Sequence, residues 1–97
     1  MKVKENNFLV YNYVKEHQAE NITADDIANA LGLNPRTVNG IITMSFQRHK
    51  DEDKNEVPLM VRETGEPYTD EKGKPKVAKY IRLTPAGEAI EIEMAEA

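Results

Sequence analysis

The sequence predicts a mainly α-helical domain with a small β-hairpin, its elements running α-α-α-β-β-α within 97 residues. Two observations carry that expectation. Residues 22–43, ITADDIANALGLNPRTVNGIIT, hold two helix-start signals in quick succession with a Gly-Leu turn between them. Residues 57–84 hold two strand-like runs, VPLMVRET and KVAKYIRL, around a tip rich in glycine and proline.

In chain order, Asn6 or Asn7 can cap a first helix over about 8–18, which should end near 20–21. Phe8, Leu9, Val10, Tyr11, Tyr13 and Val14 give it an apolar face broader than a single stripe, so part of that face is expected to meet a second subunit. Thr23 is placed to cap a second helix over 24–31, its hydroxyl accepting from the free backbone N–H of Asp25 or Asp26. Both acids also sit at the positive end of the helix dipole, and Ile22 and Ile27 are spaced as a hydrophobic staple. Gly32 can take the left-handed conformation that turns the chain.

The same grammar repeats eleven residues after Thr23: Leu33 precedes the cap, Asn34 is the cap, Pro35 takes the first helical position and Val38 closes the staple. A third helix over about 35–49 follows. Ala28 allows close approach, while Ile27, Leu31, Val38, Ile41 and Ile42 fill the angle between the helices. An ordinary helical hairpin needs less than this combination, which is that of a helix-turn-helix. KDEDKNE, at 50–56, reads as a polar loop or a frayed helical extension. The tip GEPYTDEKGKP, at 65–75, has two glycines and two prolines. Thr84 then caps a final helix over about 85–96, with Ala86, Ala89, Ile90 and Met94 along one face. Three helices followed by a hairpin, at this length, predict a single winged helix-turn-helix domain over 1–97. Its helix-turn-helix lies at about 22–49, its wing at about 57–84 and its C-terminal helix at about 85–96.

Composition bounds the function. The absence of cysteine excludes a disulfide framework, a zinc–thiolate site and a thiol nucleophile. No segment approaches the roughly 18–20 apolar residues of a membrane span, and MKVKENNF lacks the apolar run of a signal peptide, so a cytoplasmic protein without membrane partners is expected. A net charge of −4 is unusual for a nucleic-acid binder, but its distribution is informative. No carboxylate occurs in 27–50, which holds Arg36, Arg48 and Lys50, or in 72–87, which holds Lys72, Lys74, Lys76, Lys79 and Arg82. Eight of the thirteen basic residues therefore fall in two acid-free windows, and the chain can present one positive face despite its acidic total.

From 22 to 90 the chain resembles the DNA-binding lobe of MarR-like winged-helix regulators. The features that carry the resemblance are the helix-turn-helix, a strand ending in Val61-Arg62, a charged wing whose Asp70-Glu71-Lys72 approximates the family's Asp-x-Arg, and a return strand reaching Leu83-Thr84-Pro85-Ala86-Gly87. In that family Leu-Thr-x-x-Gly marks the return strand running into the next helix. The resemblance covers the lobe only.

In a helix-turn-helix the second helix enters the major groove. With Val38, Ile41, Ile42 and Phe46 inward, the helical period leaves Arg36, Thr37, Asn39, Gly40, Thr43 and Gln47 outward. Arginine can fork onto guanine, asparagine or glutamine onto adenine, and threonine can touch a thymine methyl. Gly40 would admit close approach of the nucleic acid, and the helix N-terminus at Asn34 could receive a phosphate. Arg48 joins this set, and Lys72, Lys74, Lys76 and Lys79 of the wing are expected on the backbone or adjacent minor groove. Arg62 is expected to brace the wing by pairing with Asp70 or Glu71.

Enzymatic readings fail. His17 and His49 have no patterned carboxylate companions, and the calcium-loop-like start at Asp51 has Glu56 where glycine is required. No catalytic residue, metal ligand or cofactor is expected. The leading expectation is a small bacterial or phage transcriptional regulator that binds double-stranded DNA sequence-specifically. A homodimer through the first helix and the C-terminal helix is expected to favour a palindromic site. The alternative is a winged-helix module that docks a protein, for which the acidic total and the Glu-rich tail from Glu88 to Glu96 speak.

Overall fold

The computed structural model describes residues 1–95. The elements are β1 (Lys2–Val3), α1 (Glu5–His17), α2 (Ala24–Leu31), α3 (Pro35–Ile41), β2 (Met60–Thr69), β3 (Pro75–Leu83), α4 (Pro85–Ala89) and β4 (Glu93–Met94). A 3-10 turn at Gln18–Glu20 follows α1, and a π-helical segment at Ile42–Gln47 continues α3. Three helices and an antiparallel hairpin thus stand in the expected order, and two short terminal strands are added to it.

The local signals act as their chemistry requires. Thr23 Oγ1 accepts from the Asp26 N–H at 3.2 Å while the Asp26 carboxylate accepts from the Thr23 N–H at 2.9 Å, a reciprocal capping box worth about 1 kcal/mol. Gly32 ends α2 with φ of +68°, where a Cβ would be strained. Asn34 Oδ1 accepts from the Arg36 N–H at 2.8 Å, and Pro35 opens α3. Thr84 Oγ1 accepts from the Gly87 N–H at 2.9 Å at the start of α4. Val10, Tyr11 and Val14 of α1 meet Ile22, Ile27, Ala28, Val38, Ile42, Phe46, Leu59, Met60, Ile81 and Leu83 in one core.

β2 and β3 pair from Met60 opposite Leu83 to Thr69 opposite Pro75, with a register shift between Thr64 and Pro67. There Gly65 and Glu66 stand against Ala78 alone, a β-bulge, and the Tyr80 ring occupies the space a Gly65 side chain would need. The backbone N–H of Ile81 also donates to Ile22 O at 2.9 Å, tying the hairpin to the chain ahead of α2.

Several expectations need correction. α1 starts at Glu5 with Lys4 in the cap position, so Asn6 and Asn7 lie inside the helix. α3 is regular only to Ile41; beyond it the Arg48 N–H reaches back to Thr43 O at 3.0 Å, a five-residue step. The wider turn has a packing reason. In a regular α-helix each four-residue step drifts about 40° around the axis. The π segment takes up that drift and keeps Val38, Ile42 and Phe46 in one buried line.

The expected helix over 85–96 is one turn, ending at Ala89, with Ile90 already extended at ψ 142°. Glu88, Glu91 and Glu93 would crowd the negative end of a longer helix dipole. Instead β4 pairs in parallel with β1, the Glu93 N–H donating to Met1 O and the Ala95 N–H to Val3 O. Glu96, the end of the expected helix and tail, lies outside the described residues. The apolar surplus assigned to a second subunit is largely consumed within the chain. Tyr11 and its neighbours are core residues, and Ile90 and Ile92 pack against that core, while Leu9 and Met94 stay exposed. Residues 50–56 form a closed loop in which Asp51 Oδ1 accepts from the N–H groups of Asp53 and Asn55, both at 2.9 Å. Among the described residues no helix is long and apolar enough to cross a membrane.

Candidate nucleic-acid interface

Because α3 and its π continuation hold a near four-residue spacing, their side chains sort into four rows. Val38, Ile42 and Phe46 are buried. Opposite them Arg36, Gly40, Met44 and Arg48 form a solvent-facing ridge with a cation at each end and no carboxylate. Arg48 Nη1 rests on Met44 Sδ at 3.6 Å, and Met44, 63% exposed, is its one large apolar side chain. On one flank Thr37, Ile41 and Ser45 face the N-terminal segment, where Asn7 Nδ2 donates to Ser45 Oγ at 2.9 Å.

On the other flank lie Asn39, Thr43 and Gln47, all half-buried, and there Arg62 departs from expectation. It does not pair with Asp70 or Glu71. From β2 its Nε–H donates to Gln47 Oε1 at 3.1 Å and its Nη1 to Asn39 Oδ1 at 2.9 Å. Its Nη2 donates to Thr43 Oγ1 at 3.1 Å and to Asn39 O at 3.3 Å. Burial pushes the guanidinium below its usual pKa, and four oxygens around it compensate the lost water. Asn39, Thr43 and Gln47 therefore sit beneath an arginine instead of standing open to solvent. The reason is geometric: β2 crosses this flank, and Arg62 shares the inward face of the hairpin with Met60, opposite Ile81.

The expected wing cations divide. Lys72 and Lys74 stand exposed on the 70–74 turn, whose backbone N–H groups at those two residues donate to Asp70 Oδ1 at 2.9 and 2.8 Å. The Lys74 N–H above all, then that of Lys72 and the Lys76 charge, holds the Asp70 carboxyl below its ordinary range. Lys76 Nζ lies 3.6 Å from Asp70, and Lys79 Nζ donates to Thr64 Oγ1 at 2.8 Å. Arg82 is a structural tie. It bonds Glu63 at 3.1 Å, Gln18 O and Asn21 Oδ1, fastening the hairpin to the turn after α1.

A cleft of about 410 Å³ opens between α2, α3 and the hairpin, with Asn39, Arg62 and Lys79 on its walls and Asp25 and Asp26 at the α2 end. Lys79 is thereby brought to α3. Lys2 and Lys4 were missed by sequence reasoning, as was the exposed Met44. The lysines line a groove beside Thr37 and Gly40 because β1 pairs with β4, a contact between the two ends of the chain that no local pattern announces. No protein-family model, curated protein sequence or solved structure matches this chain.

Proposed function

We propose that this chain is a winged-helix domain that binds double-stranded DNA, with α3 in the major groove and the hairpin as a wing on the backbone or adjacent minor groove. In this reading it serves as a small bacterial or phage transcriptional regulator, similar in its binding lobe to MarR-like proteins. The ridge of Arg36, Gly40, Met44 and Arg48 carries the reading. A Cβ at Gly40 would meet nothing within 4 Å, so no internal packing accounts for a residue that costs a helix about 1 kcal/mol relative to alanine. A surface that must approach closely from outside does account for it.

Two further features support the topology. The Ile81 N–H donates to Ile22 O, which holds the segment ahead of α2 beside the return strand of the hairpin. Leu83, Thr84 and Gly87 each have a physical role in returning the chain from hairpin to helix: Leu83 is buried, Thr84 caps α4, and a Gly87 side chain would overlap the Leu59 carbonyl.

The test is binding of mixed genomic duplex fragments to the purified chain, followed by selection of bound sequences with the native protein and with Arg36→Ala. The native protein should retain DNA at about 50 mM salt, and Arg36→Ala should relax preference at one position of the selected site. A second reading is a protein-docking module. It is favoured by the exposure of Met44, Tyr68 and Val77 together with the net charge of −4. Absence of DNA retention at about 50 mM salt would select it.

A further inference from the structure

A major groove about 12 Å wide is filled by one α-helix of about 10–12 Å diameter, so whatever stands beside such a helix meets the sugar-phosphate strands that bound the groove. α3 is flanked on both sides. The hairpin covers the side of Asn39, Thr43 and Gln47. Along the other side run β1 and the start of α1, over a groove of about 600 Å³ lined by Lys2, Lys4, Asn7, Thr37, Gly40 and Ser45. No carboxylate of the described residues lines it. Glu93, opposite Lys2 in the β1–β4 register, borders a separate hollow with Glu91 and Met1, and Glu5 borders a neighbouring one with Asn6. Among the described residues neither lysine lies within ion-pair distance of a carboxylate. Both are exposed, while Val3 between them is buried.

We propose that Lys2 and Lys4 form a second backbone-binding element, which holds the phosphates of the DNA strand on the side of α3 away from the hairpin. The proposal rests on the DNA-binding reading above. Phosphodiester oxygens only accept hydrogen bonds, and a lysine ammonium only donates them, as a compact charge on a stem that can follow the strand. Thr37, exposed at the same edge, adds a hydroxyl. The segment is already in place before any ligand arrives. Val3 is buried, the Glu93 N–H donates to Met1 O at 2.9 Å and the Ala95 N–H to Val3 O at 2.7 Å, so binding has little backbone left to order. With the hairpin on one strand and β1 on the other, α3 is gripped from both walls of the groove. The two lysines position the helix and carry no base preference.

The experiment scans a selected duplex along both strands with single methylphosphonates, each of which removes the charge of one phosphate. Native protein, Lys2→Ala/Lys4→Ala and Lys72→Ala/Lys74→Ala are compared, and each is also measured across a salt series. Native protein should lose affinity at two clusters of phosphates, one on each strand beside the groove. Lys2→Ala/Lys4→Ala should bind all sequences about tenfold or more weakly at about 0.1 M salt, lower the salt slope by roughly 2 and become insensitive at one cluster. Lys72→Ala/Lys74→Ala should become insensitive at the other. Retention of both clusters by Lys2→Ala/Lys4→Ala overturns the proposal whatever its slope, as does loss of the same cluster in both variants. Should Lys2→Ala/Lys4→Ala fail to fold, the native scan decides together with Lys72→Ala/Lys74→Ala, since a single cluster lost in that variant also overturns the proposal. Each of these results leaves DNA binding itself intact. If no duplex is retained by the native protein, both readings fall together.

Discussion

The Tyr11 hydroxyl donates to the Gly87 carbonyl oxygen at 2.6 Å, joining the first helix to the last across 76 residues of sequence. Tyr11→Phe keeps the ring and strands that acceptor, so stability should fall by about 1–3 kcal/mol. Urea unfolding should show a lower midpoint at unchanged slope. Burial, and secondarily the Glu88 charge, raises the Tyr11 pKa, so the folded chain keeps a proton that the unfolded chain releases. This contribution is complete below the unfolded value of about 10 and is lost as pH rises towards the folded one. Tyr11→Phe should therefore lose less stability than the native chain on going to alkaline pH.

Gly87 and Gly40 should respond oppositely to alanine. At Gly87 the new methyl would overlap the Leu59 backbone, which cannot rotate aside, and a loss of about 1–3 kcal/mol or more is expected. Gly40→Ala meets open space within a helix and should raise stability by about 0.5–1 kcal/mol. Thermal unfolding of the two variants checks both signs. If α3 enters a groove, the stabilised Gly40→Ala protein should also bind duplex DNA more weakly than the native one.

At the hairpin turn, Asp70 is held ionised by the N–H groups of Lys74 and Lys72. Its stabilising effect is present above the unfolded carboxyl value of about 4 and is lost as pH falls through the lower folded value. The amide resonances of Lys72 and Lys74 should move together over that acidic range. In Asp70→Asn they should not titrate together.

Salt dependence separates the hairpin cations from the α3 ridge. If the chain binds DNA as proposed, through about five phosphates, log affinity should fall with log salt at a slope of about −4 to −5. Lys72→Ala/Lys74→Ala should weaken binding to all sequences alike and reduce the slope by roughly 2. A changed base preference in that variant would count against a backbone role for the turn.

What could be read from the sequence divides by range. Thr23, Asn34 and Thr84 were legible as caps because each bonds an N–H only two or three residues ahead, where identity and spacing suffice. Gly32 was legible for the same reason. Arg62 was not, since its partner Asn39 lies 23 residues away and is reached only once β2 has been laid across α3. An exposed wing arginine with acids nearby reads equally well as a local pair. The last helix was overextended because Ile90 and Met94 fit a helical stripe, whereas the β1–β4 pairing that competes for the same residues is set by the opposite end of the chain. The outward period along α3 placed Arg36 and Gly40 correctly but could not show which flank the hairpin would cover.

The π-helical segment gives the chain one place between α3 and the hairpin where length is not tightly held. It contains one residue more than a regular turn would use. Deleting one residue of Ile42–Gln47 would let the regular pitch resume with the downstream chain facing the same way, so Arg48 would keep the surface it shares with Arg36. Within Pro35–Ile41 the same loss would swing everything beyond it by about 100°. Homologous chains should therefore tolerate the loss of a single codon in the wide turn far better than in the regular one before it.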